Sequence, residues 1–314
     1  MYREEKTIMI TVSICIPAYK NVELLKNVFE SIKIQSFQDY EIIVSDDTPD
    51  NSIRELIQML DFVQEIYYFH NKPNLGSPEN WNAAIAKASG KYIKIIHTDD
   101  WFAHSESLAT FVSMIESDTD IDFAFSGAQI LSTSNEIRVH QADAKLIKAL
   151  ENDPKVLYRS NFVGGPSATI YKRSLNLTFD KNLKWLVDVD FYIRLLSIKP
   201  KFAYTTEPLV VTYEAAGRIT NECIDNRDIQ IFEHLYVYEK LKMIPGNSES
   251  RRNLVLLGYL CLRFNIKSIK EIRNLNYKGI IPLFILLLVK ITSVSKFLGK
   301  AYLRIISPLL TLKS

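Results

Sequence analysis

Three apolar runs in the first hundred residues each end on side chains that could hold an ion, a phosphate or a base ring. Residues 11–16 run into Pro17-Ala18-Tyr19-Lys20, residues 41–44 into Ser45-Asp46-Asp47, and residues 92–96 into His97-Thr98-Asp99-Asp100. A fourth acidic pair, Asp188 and Asp190, opens a stretch of helical spacing. Carboxylates so placed serve three chemistries. One or two can hold a hard divalent cation that also takes phosphate oxygens. One can accept the proton of an attacking hydroxyl. Any of them can cap a helix or close a turn, which is the plain alternative at each of these places. Ser45-Asp46-Asp47-Thr48-Pro49-Asp50 is good turn chemistry, and Asp99-Asp100 would serve as a cap before Trp101.

The elements that must position these groups alternate in period. β-rich apolar runs occupy residues 11–16, 41–44, 66–69 and 92–96, with helical spacing at 22–34, 53–60 and 78–88 between them. Pro78 falls in the first turn of the third helix, with Ser77 its candidate cap, and Gly90 follows its end. Such alternation predicts an α/β fold with crossover units and a mainly parallel central sheet, helices on both faces. In such sheets ligands bind beyond the carboxyl ends of the strands, where the acids and Tyr19 fall. The second half is less regular. Strands are expected at 121–125, 168–171, 202–204 and 209–213, a turn at Gly164-Gly165-Pro166, and a helix at 188–198. Residues 132–160 show no clear period, and everything beyond Arg227 reads as helix.

Net charge is +2, but unevenly spread: residues 251–314 carry 12 Lys and Arg against the single acid Glu271, while the first 250 residues are net negative. A basic, apolar tail suits an anionic surface. Nucleic acid is disfavoured as that surface, because aromatics do not interleave with the bases. Residues 279–310 fit an amphipathic segment on an anionic leaflet, the alternative being a core helix with solvated lysines. No apolar run reaches spanning length, the longest being interrupted by Pro282. The apolar stretch from Ile8 follows two glutamates and makes a poor signal peptide. Cys15, Cys223 and Cys261 are far apart and form neither a disulfide framework nor a zinc motif, which suggests reduced thiols in the cytoplasm.

The order of these motifs resembles the family 2 glycosyltransferases of the GT-A fold, of the kind that build bacterial surface polysaccharides. Val12-Ser13-Ile14-Cys15-Ile16-Pro17-Ala18-Tyr19, Val44-Ser45-Asp46-Asp47, Asn74-Leu75-Gly76 with Asn80-Trp81-Asn82, Gly90-Lys91-Tyr92 leading to His97-Thr98-Asp99-Asp100, and Asp188-Val189-Asp190-Phe191 carry it, over residues 10–215. The resemblance implies an enzyme that moves a sugar from a nucleotide-diphosphate donor, of UDP type, to an acceptor hydroxyl on a glycan or lipid-linked glycan. It implies a divalent cation, Mn²⁺ or Mg²⁺, with Asp99 the principal ligand; His97, standing where the family has an acid, is either a second ligand through its neutral imidazole or only a hydrogen-bond partner. Pro17, Ala18, Tyr19, Asp46, Asp47, Asn82, Thr98, Asp99, Gly165 and Asp190 become substrate-binding positions. Asp188 becomes the general base, and one base with direct attack implies inversion at the anomeric carbon. Val187 stands where the family has Glu, and the stretch from Tyr213 to Thr220 offers Arg218 but lacks the family's His. The expected division is a catalytic domain over 1–220 and a helical, membrane-associating region over 221–314, on the inner face of the cell membrane. Rival functions are a nucleotidyltransferase, which needs a Gly-rich basic phosphate loop that Pro17-Ala18-Tyr19-Lys20-Asn21 is not, and a non-catalytic nucleotide-sugar-binding or scaffold protein. No GxGxxG follows the first strand, which disfavours a dehydrogenase.

Overall fold

The computed structural model describes residues 10–214, 218–243 and 248–311. The expectations placed on the stretch from Ile8 and on residues 215–217 of the loop before Thr220 fall wholly or partly outside them. The chain forms two compact units. The first comprises residues up to 147 together with 162–181 and 195–214, the second residues 148–161, 182–194 and those from 218 onward.

The first unit is built on nine strands: β1 (Val12–Ala18), β2 (Tyr40–Asp46), β3 (Ile66–His70), β4 (Tyr92–Ile95), β5 (Asp100–Phe102), β6 (Phe123–Leu131), β7 (Ile137–His140), β8 (Thr169–Lys172) and β9 (Ala203–Tyr213). Their order is β3-β2-β1-β4-β8-β6-β9-β5, with β7 on β6. The first four run parallel, joined through α1 (Val22–Lys33), α2 (Ser52–Gln58) and α3 (Glu79–Ala86), as the alternating periods predict. The other half is mixed: β8 is antiparallel to both β4 and β6, and β6 is parallel to β9.

Of the parallel half, β1, β2 and β4 are buried on both faces, which is why they read as continuous apolar runs, whereas β3 is a partly exposed edge. Val12, Ile14, Ile16 and Ala18 of β1 pack with Leu25, Val28, Phe29 and Ile32 of α1 and with Leu108, Phe111 and Ile115 of α4 (Ser107–Glu116). Ser13 points to the opposite face, where its hydroxyl donates to Glu41 and accepts the Gly90 N–H at 2.8 Å. Glu41 also takes the Ser89 N–H at 2.7 Å. A Cβ on Gly90 would lie 2.7 Å from the Ser13 backbone nitrogen. Gly90→Ala should therefore cost about 1–3 kcal/mol in chemical denaturation, because backbone cannot yield as a side-chain tip can.

Two local expectations change, and one alternative falls. Trp101 does not open a helix: Asp100–Phe102 is a strand on β9, so Asp99-Asp100 ends one strand and starts another. Residues 203–213 form one strand rather than two. Pro208 cannot donate to a ladder, and the register shifts at its partner Gly127 to accommodate it. Ser77 is not a cap, since Pro78 occupies that position and no side chain caps α3.

The second unit is helical apart from a 3₁₀ turn at Pro154–Tyr158. Part of α5 (Ala144–Asn152) and the opening of α6 (Val187–Ile198) belong to it, with α7 (Ile219–Cys223), α8 (Arg227–Lys240), α9 (Ser248–Arg263), α10 (Ile269–Asn274), α11 (Leu283–Val294) and α12 (Lys296–Thr311). Pro282, which breaks the apolar run, stands at the N-terminal boundary of α11. Among the described residues no helix is long and apolar enough to cross a membrane.

Candidate active site

Parallel pairing brings three strand ends to one edge of the first unit. Ala18 is in register with Asp46, and Cys15 with Ile95. The ladder continues as Asp47 N–H donates to Ala18 O at 2.9 Å and Ile96 N–H to Cys15 O at 3.0 Å. Pro17 and Ala18 are buried and offer backbone, whereas Tyr19 is half exposed, with the Lys20 ammonium 4.9 Å from its ring centre. Lys20 and Asn21 both adopt left-handed backbone, φ 56° and 52°. For residues with a Cβ this costs about 1 kcal/mol each. The Lys20 N–H donating to Thr48 Oγ1 at 2.7 Å helps to hold the turn.

Asp46 and Asp47 are buried, and their oxygens organise the surrounding loops. Asp46 accepts the Thr48 N–H at 2.8 Å and the Tyr68 hydroxyl at 2.7 Å. Asp47 accepts the N–H groups of Leu75 at 3.0 Å and Gly76 at 2.7 Å, and Asn71 Nδ2 at 2.9 Å. Asn80 joins this knot, donating to Ala18 O at 3.1 Å and accepting from Asn71. Neither Asn71 nor Asn80 stood out as a site residue in sequence, since their partners lie far along the chain. Asn82 pairs through both amide atoms with the backbone of Phe179, at 2.9 Å each way.

The turn from His97 to Asp99 follows β4 and is half buried, whereas Asp100 is buried. The His97 ring packs on Trp81, centroids 4.6 Å apart, and its Nδ1 lies 3.8 Å from the Asp100 carboxylate. The His97 N–H donates to Ser167 Oγ at 3.0 Å, which ties this turn to Gly164–Ser167. Gly164 has φ +94°, a conformation that favours glycine, and a Cβ on Gly165 would meet nothing within 4 Å. Beneath both turns lies Lys94, fully buried, its ammonium donating to Ser167 O.

Among the described residues no three of His, Cys, Asp or Glu group as a metal cage. An ion of the Mg²⁺ type needs no such cage, since it takes one or two carboxylates and leaves its other positions to water and phosphate. Asp99, on the turn at the strand edge, with His97 beside it, are the residues that would hold it.

In the second unit Asp188 and Asp190 lie in the first turn of α6. Capping of the helix entry is shared between Asp188 and a distant residue. Glu233 of α8 accepts the N–H groups of Lys184, Trp185 and Leu186 at 2.8–2.9 Å, satisfying the donors just before the helix. Asp190 is fully buried and accepts from Arg194 and Lys240, each at 2.8 Å. Asp188 accepts from Asn161 Nδ2 at 2.9 Å and from the Val189 N–H at 2.8 Å. Burial pushes its carboxyl up to about 6, against the lowering effect of those hydrogen bonds. A carboxyl tuned toward neutrality suits a general base. Arg218 stands at the N-cap of α7, in the same unit.

The chain is 26% identical over 196 residues to the putative colanic acid biosynthesis glycosyl transferase WcaA of Escherichia coli, covering 59% of this chain and 66% of the relative. Its fold is similar to that of S. aureus TarS 1-349, solved in complex with UDP-GlcNAc (TM-score 0.65, 14% identity, covering 96% of this chain and 86% of that one). It is also similar to the mannosyltransferase PcManGT from Pyrobaculum calidifontis, solved with GDP-Man and Mn²⁺ (TM-score 0.56, 15% identity, covering 97% and 88%). These neighbours share the GT-A architecture of a mixed sheet flanked by helices. The sequence matches the family described as Glycosyl transferase family 2 over residues 13–178, just over half its length, and the chain belongs to that family as a glycosyltransferase.

Proposed function

We propose that this glycosyltransferase moves a sugar from a UDP-sugar to a hydroxyl of a lipid-linked glycan in surface polysaccharide synthesis, with inversion. The convergence of three parallel strand ends on one edge is the observation that carries this reading. The donor complexes of TarS and PcManGT, and the biosynthetic role in the name of WcaA, support it. Residues 1–220 carry the donor-binding machinery and 221–314 a peripheral membrane contact on the cytoplasmic face.

In this reading the backbone of Pro17 and Ala18 with the Tyr19 ring line the nucleoside. Asp46 and Asp47 hold the Thr48 and Leu75–Gly76 backbones around it. Thr98 and Gly165 flank the sugar, Asn82 fixes the wall at Phe179, and Asp190 orients α6. Bound at Asp99 and His97, a divalent cation supplies neutralisation of the leaving diphosphate. Asp188 takes the proton of the acceptor hydroxyl.

Two measurements test this. UDP-sugars with Mn²⁺ should raise the melting temperature of the wild-type protein, and Asp99→Ala should lose the metal-dependent part of the rise. Product recovered from an acceptor panel should carry the anomeric configuration opposite to the donor's. Retained configuration would overturn the single-base mechanism, and indifference to every nucleotide sugar would overturn the enzyme reading.

A further inference from the structure

The membrane contact proposed above says nothing of which surface makes it. In the second unit, α11 turns Phe284, Ile285, Leu288, Val289 and Thr292 inward, yet leaves apolar side chains on its other face. Leu283, Leu287 and Val294, at intervals of four and seven, lie on that one outer face with Lys290 between them. Leu283 is 70% exposed and Val294 79%. The pattern continues on α12. Gly299 and Leu303 face inward, where a Cβ on Gly299 would collide with Thr292, so this side of α12 packs closely on α11. Phe297, Leu298 and Ile305 project outward, Phe297 with 77% of its surface exposed.

An outward apolar strip on two consecutive helices contributes nothing to the core and exposes large side chains to water. Its borders are cationic. Helical spacing sets Lys296, Lys300 and Arg304 along one flank of the α12 strip, between it and the buried side. These three cations, with Arg263 and Tyr259 of α9, line a groove of about 500 Å³ floored by Leu262 and Leu303. The residues that line it include no acid; Asp225, exposed and outside that lining, pairs with Arg263. Beyond Glu271 the sequence has seven Lys and Arg and no acid.

We infer that the outer faces of α11 and α12 are a docking surface for an anionic lipid bilayer, with lipid phosphate seated in the groove between α9 and α12. The inference rests on the membrane reading and narrows it to one surface. The charge pattern selects that occupant. An apolar strip bounded by a row of cations matches the boundary between acyl chains and anionic headgroups, where the strip enters the chains and the cations meet phosphate. A second copy of this chain would bring the same cation row against itself.

The test is sedimentation of the full chain with phosphatidylcholine vesicles, with and without phosphatidylglycerol. Wild type should bind the phosphatidylglycerol vesicles and release at high salt. A triple variant of the strip (Phe297→Ser, Leu298→Ser, Ile305→Ser) and one of the cations (Lys296→Gln, Lys300→Gln, Arg304→Gln) should each lose more than roughly tenfold in vesicle affinity. Both should keep their circular dichroism and metal-dependent nucleotide-sugar hydrolysis. If wild type binds and both variants bind equally well, the surface lies elsewhere and the membrane reading survives. If wild type binds neither vesicle, both fail. A wild-type dimer dissolved by the strip variant would make the strip a self-interface. Stabilisation by inorganic phosphate, abolished in the cation variant while vesicles go unbound, would make the groove a soluble-anion site. Either of these last results overturns the inference.

Discussion

Asp188→Asn should lower kcat by roughly 10²–10⁴ while leaving the donor KM within a fewfold, because a general base acts on the acceptor and not on the nucleotide. The wild-type pH profile carries the same information. With burial holding the Asp188 carboxyl at about 6, kcat/KM should fall about tenfold per unit as pH drops below 6, and level off above. Stability should move the other way. A carboxyl whose pKa is higher folded than unfolded binds more protons in the native state. Its contribution is therefore complete below the ordinary value near 3.8 and is lost as pH rises through about 6. Asp188→Asn should thus be more stable than wild type above pH 6, by on the order of 1–2 kcal/mol after discounting partial exposure. Near-normal turnover by this variant, or a flat profile down to pH 5, would place the base elsewhere.

Lys94→Ala should cost about 3–5 kcal/mol of folding free energy, the largest stability loss expected of a single change here. Lys94 is wholly buried in β4, its ammonium 4.2 Å from the Phe111 ring centre and bonded to Ser167 O. Burial drives its pKa well below the usual lysine range, and the Asp100 carboxylate opposes that shift. Truncation leaves a cavity the length of the side chain and removes the donor beneath Ser167. Lys94→Met fills the volume without the donor, so it should recover all but about 2 kcal/mol. Its remaining defect should appear in catalysis. Ser167 also receives the His97 N–H, and a turn released from Lys94 holds Thr98 and Asp99 less well. A melting curve for Lys94→Ala that matched wild type would show that the side chain is not structural.

The alternation of periods in residues 11–96 was sufficient for the parallel half of the sheet, because strands buried on both faces must be apolar throughout and their crossover helices must be amphipathic. The strand ends follow from the same pattern to within two residues, expected at 16, 44 and 96 and found at Ala18, Asp46 and Ile95. So does the helical character beyond Arg227, where the period stays at that of a helix. Elements whose partners are distant were not legible. The short strand Asp100–Phe102 exists because β9 lies alongside, and Pro208 fits its strand because Gly127 lets the register slip.

The same distinction runs through the candidate site. Sequence alone determined which residue types sit at the strand ends and at the opening of α6, since these follow from local periodicity and spacing. Tertiary structure decided how each is occupied: Asp46 and Asp47 by loop N–H groups, Asp190 by two cations, and Asp188 by Asn161 and the Val189 N–H, while Glu233 takes the N–H groups just before α6. A carboxylate's role depends on which donors reach its oxygens and how much water remains beside it. Both depend on residues tens of positions away, brought near only when the chain has folded.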